Sequence, residues 1–382
     1  MKLADNGLQR TALFAAALLL VCAAGASAQS VTVVIPSTGA AREAWRALEE
    51  GRFREAEPLF GRALLTAPED PGLLLGSGIV ARRLGHLDAA RAALKRALEV
   101  DPALTAASLL LGMMLHEQGD LTGAIRVYES ALFRAPDHPQ LTAHLARWRL
   151  EASAQEGFLR ADGGHFTVLF EGPAEETLAQ AAIGILDTAY IRIGDALFNY
   201  PADPITVVLY TQEQFRDIAR SPSWAGGLYD GRIKIPVRGA LRNRAELGRV
   251  LTHEYVHALV HRLSPTGVPT WLNEGLAVYL EREDVPDSQP APATKPLSLA
   301  LLSSSFGSLP PDQIRAAYRD SGSAVRAIVE RVGLPAIVAL LTDLGAGETF
   351  EQAFASNVLM SFDDFQREWA DGQTFLPRNS NT

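Results

Sequence analysis

The chain has 382 residues, 47 % of them hydrophobic, and a formal net charge of −9. That length holds two or three domains, and the apolar share is enough for real cores. The acidic balance argues against a nucleic-acid-binding protein, which carries a basic footprint; beyond that it mostly aids solubility.

At the N-terminus, Lys2 and Arg10 precede the apolar run TALFAAALLLVCAAGASA, which closes on Ala26-Ser27-Ala28. A charged start, a short apolar core and a small-residue site read as a secretory signal peptide over residues 1–28, cleaved after Ala28. The run is barely long enough to span a bilayer, which favours cleavage over a retained anchor. The single cysteine, Cys22, lies inside this segment, and Val21 is a poor neighbour for a lipoprotein cysteine. The mature chain, 29–382, then offers no thiolate, so any metal falls to His, Asp or Glu. The style of the signal points to a bacterial periplasmic or secreted protein.

A period follows. Gly51, Gly85 and Gly119 stand 34 residues apart, as do Ala56, Ala90 and Ala124, the large residues Phe60, Leu94 and Tyr128, then Ala63, Ala97 and Ala131, and Pro68, Pro102 and Pro136. Small residues let two helices approach, the large one fills the groove, Gly makes the turn and Pro closes the pair. Five columns in register resemble the tetratricopeptide repeat, with repeats over 37–70, 71–104 and 105–138 and a capping helix reaching to 158. The match is weaker at the start of the first repeat, where Ala40 replaces a large residue. The resemblance implies an α-helical solenoid whose concave face takes a peptide or protein partner; the alternative is that the repeats merely dock on the neighbouring domain. His86, His116, His138 and His144 have no ligand spacing and read as surface or turn residues.

After residue 163 the texture changes. HFTVLFEG (165–172) alternates like a strand, 174–198 has helical periodicity, and ITVVLY (205–210) is a short buried strand. Thr211 reads as the N-cap of a helix to Arg220, with Gln214 completing a capping box. GGLYDGRIKIPV (226–237) reads as turn and strand, followed by helices over 244–263 and 270–283. The Pro-rich segment 284–296 reads as a flexible loop. The remainder to about 371 reads as mostly helical, broken at Pro310-Pro311, Gly333 and Gly345, with a disordered tail over 373–382. This order describes a small mixed sheet backed by helices, an α+β plan.

Within it, His253-Glu254-Tyr255-Val256-His257 places two imidazoles four residues apart on one helix face. Zinc takes neutral nitrogen ligands and prefers four partners. Glu254, one step round the helix, reaches a water at an open fourth position and serves as general base. A third ligand is required. His261 continues the spacing but lies about 12 Å along the axis from His253, too far for a shared ion. Leu263 occupies the position six beyond His257. Glu274, in Trp271-Leu272-Asn273-Glu274-Gly275, fits if a second helix starting near Pro269 returns antiparallel to the first.

HEYVH followed by WLNEGLAVYLE resembles the gluzincin, or thermolysin-like, metallopeptidases, and is most similar to peptidase-MA-like domains, with a weaker likeness over about 165–372. The resemblance implies zinc on His253, His257 and Glu274 with Glu254 as base. It also implies an oxyanion donor, assigned to Tyr318 in AAYRDS with Tyr229 and Tyr255 as alternatives, and an edge strand that pairs with substrate, placed at Gly231–Pro236. One position departs: where thermolysin-like enzymes place an Asp four residues after the ligand Glu to support a zinc histidine, this chain has Val278. The expected architecture is a tetratricopeptide solenoid over 37–158, then an α+β thermolysin-like domain over 163–372 with a helical C-terminal part. The expected function is an exported zinc metallopeptidase acting on peptides or proteins, its repeats recruiting substrate or partner. The alternatives are a scaffold protein whose peptidase-like domain is inactive or holds zinc structurally, and a zinc hydrolase acting on another carbonyl of the cell envelope. The presence of Glu254 favours the first reading.

Overall fold

The computed structural model describes residues 39–219, 227–237, 244–265, 267–281 and 296–371. The expected signal peptide, nearly all of the Pro-rich loop and the expected tail lie outside the described residues. The chain divides into two compact units, one ending at Leu110 and one beginning at Leu111.

The first unit holds α1 (Gly39–Glu49), α2 (Phe53–Thr66), α3 (Pro71–Arg83), α4 (Leu87–Val100) and the start of α5 (Thr105–Glu117). The helix pairs turn at Gly51 and Gly85, with φ of 73° and 78°. The repeating alanines Ala56, Ala63, Ala90 and Ala97 are buried, as are Phe60 and Leu94 beside them. Trp45 meets Phe60 edge-on at 5.4 Å. Asp70 caps α3 by accepting from Leu73 N at 2.9 Å, with Pro71 in the first helical position, where its missing N–H costs nothing.

The second unit contains the rest of α5, α6 (Leu121–Arg134), α7 (Pro139–Ala154) and a five-stranded sheet. Its strands are β1 (Leu159–Asp162), β2 (Phe166–Phe170), β3 (Ile205–Tyr210), β4 (Leu228–Tyr229) and β5 (Ile233–Pro236), in the order β1-β2-β3-β5-β4. The central pairs β2–β3 and β3–β5 are parallel; β1 and β4 run antiparallel at the edges. The parallel step from β2 to β3 is made through α8 (Glu176–Leu197), as parallel pairing requires. Side chains alternate between the two faces of a strand. Val207, Leu209, Ile233 and Ile235 join α8 and α10 (Arg244–Leu263) in the main core. Val208 and Tyr210 pack on the other face with Phe158, Phe215 and Ile218. The last two belong to α9 (Gln212–Ala219), which opens with the expected capping box: Gln214 N donates to Thr211 Oγ1 at 3.2 Å and Thr211 N to Gln214 Oε1 at 2.9 Å.

Two strands and a strand position differ from the sequence reading. β1 was hidden because only Ala161 of its four residues is buried. β4 has two residues, too few for any period. With β4 paired to Ile233 and Lys234, the segment expected to be the sheet edge lies inside the sheet at those residues, and the edge passes to Leu228–Tyr229.

α11 (Thr270–Leu280) crosses α12 (Pro311–Val332) closely, and α13 (Leu334–Gly345), α14 (Phe350–Val358) and α15 (Phe362–Ala370) complete the helical part. Gly275 is required at that crossing, because a Cβ there would overlap the Ser321 carbonyl. Gly275→Ala is expected to lower the unfolding free energy of this unit by about 1–3 kcal/mol, read from its urea midpoint, since backbone cannot yield as a side chain can. Among the described residues, no helix is long and apolar enough to cross a membrane.

Candidate metal centre

α10 turns its apolar stripe, Leu247, Val250, Leu251, Tyr255, Ala258 and Leu259, into the core. The period of 3.6 residues leaves His253 and His257 together on an adjoining face. Their rings lie 4.8 Å apart and nearly perpendicular. α11 begins after Pro269, whose carbonyl accepts from Leu272 N and Asn273 N, and Glu274 projects from its first turns. Glu274 Oε2 is 3.3 Å from His253 Nε2 and 3.4 Å from His257 Nε2. The three donor atoms lie within 4.8 Å of one another, the one such cluster of three among the described residues.

The outer ring nitrogens are also held. His253 Nδ1 lies 2.9 Å from Glu281 Oε2, which in turn accepts from Arg249 Nη1 at 3.0 Å. His257 Nδ1 lies 3.0 Å from Asn273 Oδ1. An acceptor at each Nδ1 fixes the ring orientation and turns each Nε2 toward Glu274. Two oriented imidazole nitrogens and a carboxylate form a donor set that suits zinc with a position left open. The charges of these groups compensate one another. Burial opposes charge on His253, but the hydrogen bonds it donates to Glu274 and Glu281 outweigh it and push its pKa up to about 10. Burial likewise opposes charge on Glu274, and the two histidines overcome it, holding the carboxyl well below its usual range.

Glu254 stands outside the ligand cluster and is buried beside it. Burial raises its pKa, and the nearby histidines oppose the rise. A Cβ on Gly227, just before β4, would fall 2.7 Å from Glu254 Oε1, so the hairpin backbone closes directly over this carboxylate.

A family model of the Peptidase MA superfamily matches residues 186–375. A tetratricopeptide repeat model matches 42–88 and 75–139. This chain carries a peptidase MA superfamily domain behind tetratricopeptide repeats. The Protein CTR9 homolog of Arabidopsis thaliana is 40 % identical over 74 residues, 19 % of this chain and 7 % of that protein. The chain thus spans a small fraction of that relative's length.

In the peptidase MA domain, the three tyrosines weighed as oxyanion donors separate clearly. Tyr255 points away from the metal centre into the core, 5.4 Å from Phe166. Tyr229 packs against His261 at 5.9 Å, one turn beyond His257 and two beyond His253, which also places His261 outside the centre. Tyr318, on α12, lies 6.2 Å from the His253 ring and meets Phe306 edge-on at 5.2 Å. Burial, then Glu274, Glu254 and Glu281, raise its pKa, so the hydroxyl keeps its proton and remains a donor. Tyr318→Phe is expected to lower kcat for peptide hydrolysis about tenfold or more with zinc content unchanged; equal turnover would remove Tyr318 from the chemistry.

The outer nitrogens of the two histidines are supported in the peptidase MA domain by Glu281 and Asn273, both outside the motif's histidine pair. Val278 instead packs where α11 meets α12, against Gly322. A signal for Glu281 exists in hindsight: it sits seven residues, two helical turns, beyond Glu274, and Arg249 precedes His253 by one turn.

Proposed function

We propose that the peptidase MA domain is an exported zinc-dependent peptidase that hydrolyses peptide bonds, and that the tetratricopeptide repeats recruit its substrate or a partner. The observation that supports this most is the joint arrangement of His253, His257 and Glu274, both histidines anchored at Nδ1, with the buried Glu254 beside them. His253 Nε2, His257 Nε2 and a Glu274 oxygen would hold the ion. When bound, zinc supplies a Lewis acid that polarises a carbonyl and makes water a stronger acid.

The chain's own groups do the rest. Glu254 takes a proton from the attacking water as oxygen adds to the scissile carbonyl carbon, then returns it to the leaving nitrogen as the carbon–nitrogen bond breaks. Tyr318 donates its hydroxyl proton in a hydrogen bond to the carbonyl oxygen as charge develops there. At Gly227 the hairpin backbone approaches Glu254 so closely that a Cβ would crowd its carboxylate. Export rests on residues 1–28, and recruitment on the repeats.

The test is digestion of a diverse peptide mixture by the full mature chain, resolved by mass spectrometry. Cleavage is expected with the zinc-loaded protein, to cease on chelation and to return on zinc addition. A zinc-loaded, folded protein that leaves every peptide intact would sink the general peptidase reading and favour a scaffold role.

A further inference from the structure

The expectation that His116 lies at the surface is wrong for a reason that extends beyond His116. It is buried, stacked on Trp148 at 5.0 Å, and its Nε2 is 3.0 Å from Glu151 Oε2. Glu151, on α7, has no exposed surface. Its Oε1 accepts from Arg232, from Lys234 Nζ at 2.9 Å and from the Tyr210 hydroxyl at 3.2 Å. Lys234 also donates to Asp230 Oδ2 at 2.7 Å. Arg232 and Lys234 are each 1 % exposed. Glu151 and two cations therefore meet in the interior beside an imidazole, with the partly exposed Asp230 at the margin.

Strand alternation explains how the charges arrive there. Ile233 and Ile235 face the main core, so Arg232 and Lys234 must face the opposite side, toward α7. Burial opposes the charge on Glu151, but His116, Lys234 and Arg232 overcome it and hold its carboxyl well below the usual range. An apolar surface like that formed by Val208, Phe215 and Ile218 would seal this face without ions. Desolvation offsets much of the attraction in a buried ionic cluster, but removing one partner leaves the others uncompensated.

The hairpin formed by β4 and β5 is thus gripped at one end. Its turn residue Gly231, at φ 98°, sits against Glu117 at the end of α5, with no space for a Cβ. At its other end Gly227 lies over Glu254. We propose that the third repeat and its capping helix belong to the active-site scaffold, with Glu151 as the positioning residue that holds this hairpin at its height over Glu254. The inference rests on the peptidase reading only for its kinetic consequence.

The experiment uses the full mature chain as wild type, Glu151→Gln, Glu151→Asp and the charge-balanced Glu151→Gln/Lys234→Met. Hydrogen exchange is followed by mass spectrometry in peptides spanning 228–236 and, separately, α10; zinc content, kcat and KM are measured on the same samples. Glu151→Gln is expected to speed hairpin exchange at least tenfold, with α10 protection and zinc content unchanged. Its kcat/KM is expected to fall at least tenfold, and the double variant to recover part of both losses. Hairpin exchange and kinetics within twofold of wild type in folded Glu151→Gln would overturn the proposal. So would equal loss of protection in hairpin and α10, which marks a purely structural role. If Glu151→Gln does not fold, the same criteria apply to Glu151→Asp. A wild type that cleaves no peptide defeats the peptidase reading, while the exchange comparison still decides whether Glu151 holds the hairpin.

Discussion

Glu254→Gln is expected to reduce kcat for peptide hydrolysis by about 10²–10⁴-fold while zinc content stays at the wild-type level. The substitution is nearly isosteric, so Gly227 and the hairpin backbone keep their places over the side chain. The ligand set is untouched, because Glu254 contributes no atom to the cluster of His253, His257 and Glu274. What disappears is a carboxylate able to accept a proton; an amide cannot replace it. Burial makes that carboxylate a better base than an exposed one by raising its pKa, and His257 and His253 limit the rise. The measurement is turnover on a cleaved peptide beside metal analysis of the same sample. Full activity in a zinc-loaded Glu254→Gln protein would exclude Glu254 as the base. Loss of both activity and zinc would instead show that the residue helps to build the centre.

The parts of this protein that were legible in sequence share one property: their signal is local. Two histidines four apart, a glutamate after the first and Glu274 in a helix-opening phrase each declare themselves within a few turns. The 34-residue period is equally plain, because the same Gly, Ala and large residues recur wherever two helices must approach. Thr211 and Gln214 announced their helix start in four residues. What stayed hidden depends on partners distant in the chain. His116 looked like a turn residue because Glu151 is 35 positions away and Arg232 is 116 away. Arg232 and Lys234 give no warning, since nothing in GRIKIP says that the face they occupy will be covered by α7. β1 and β4 failed differently: a short edge strand buries too little to show an apolar period. Glu281 fell between these cases, on the right helix and face but beyond the end of the motif.

Glu281→Ala is expected to weaken zinc binding by about 10–100-fold without unfolding the domain. His253 reaches the ligand cluster through Nε2, and its other nitrogen is fixed 2.9 Å from Glu281 Oε2. Removing that acceptor frees the ring to rotate or to exchange its tautomer, either of which turns the lone pair away from Glu274. Arg249 then remains beside the histidine without the carboxylate it shares with it, although Glu246 still accepts from it at 2.6 Å and 3.0 Å. A cation left near His253 disfavours a second cation at the centre, which adds to the geometric loss. Glu281→Gln separates these effects. It retains an oxygen to accept from Nδ1 but drops the charge, so its zinc affinity should lie between Ala and wild type. Affinities come from competition with a chromophoric chelator, with circular dichroism confirming the fold. If Ala and wild type bind zinc alike, Asn273 and the packing of α11 on α12 suffice to orient the ligands, and the substitution of Val278 for a supporting acid has been absorbed by the helices themselves.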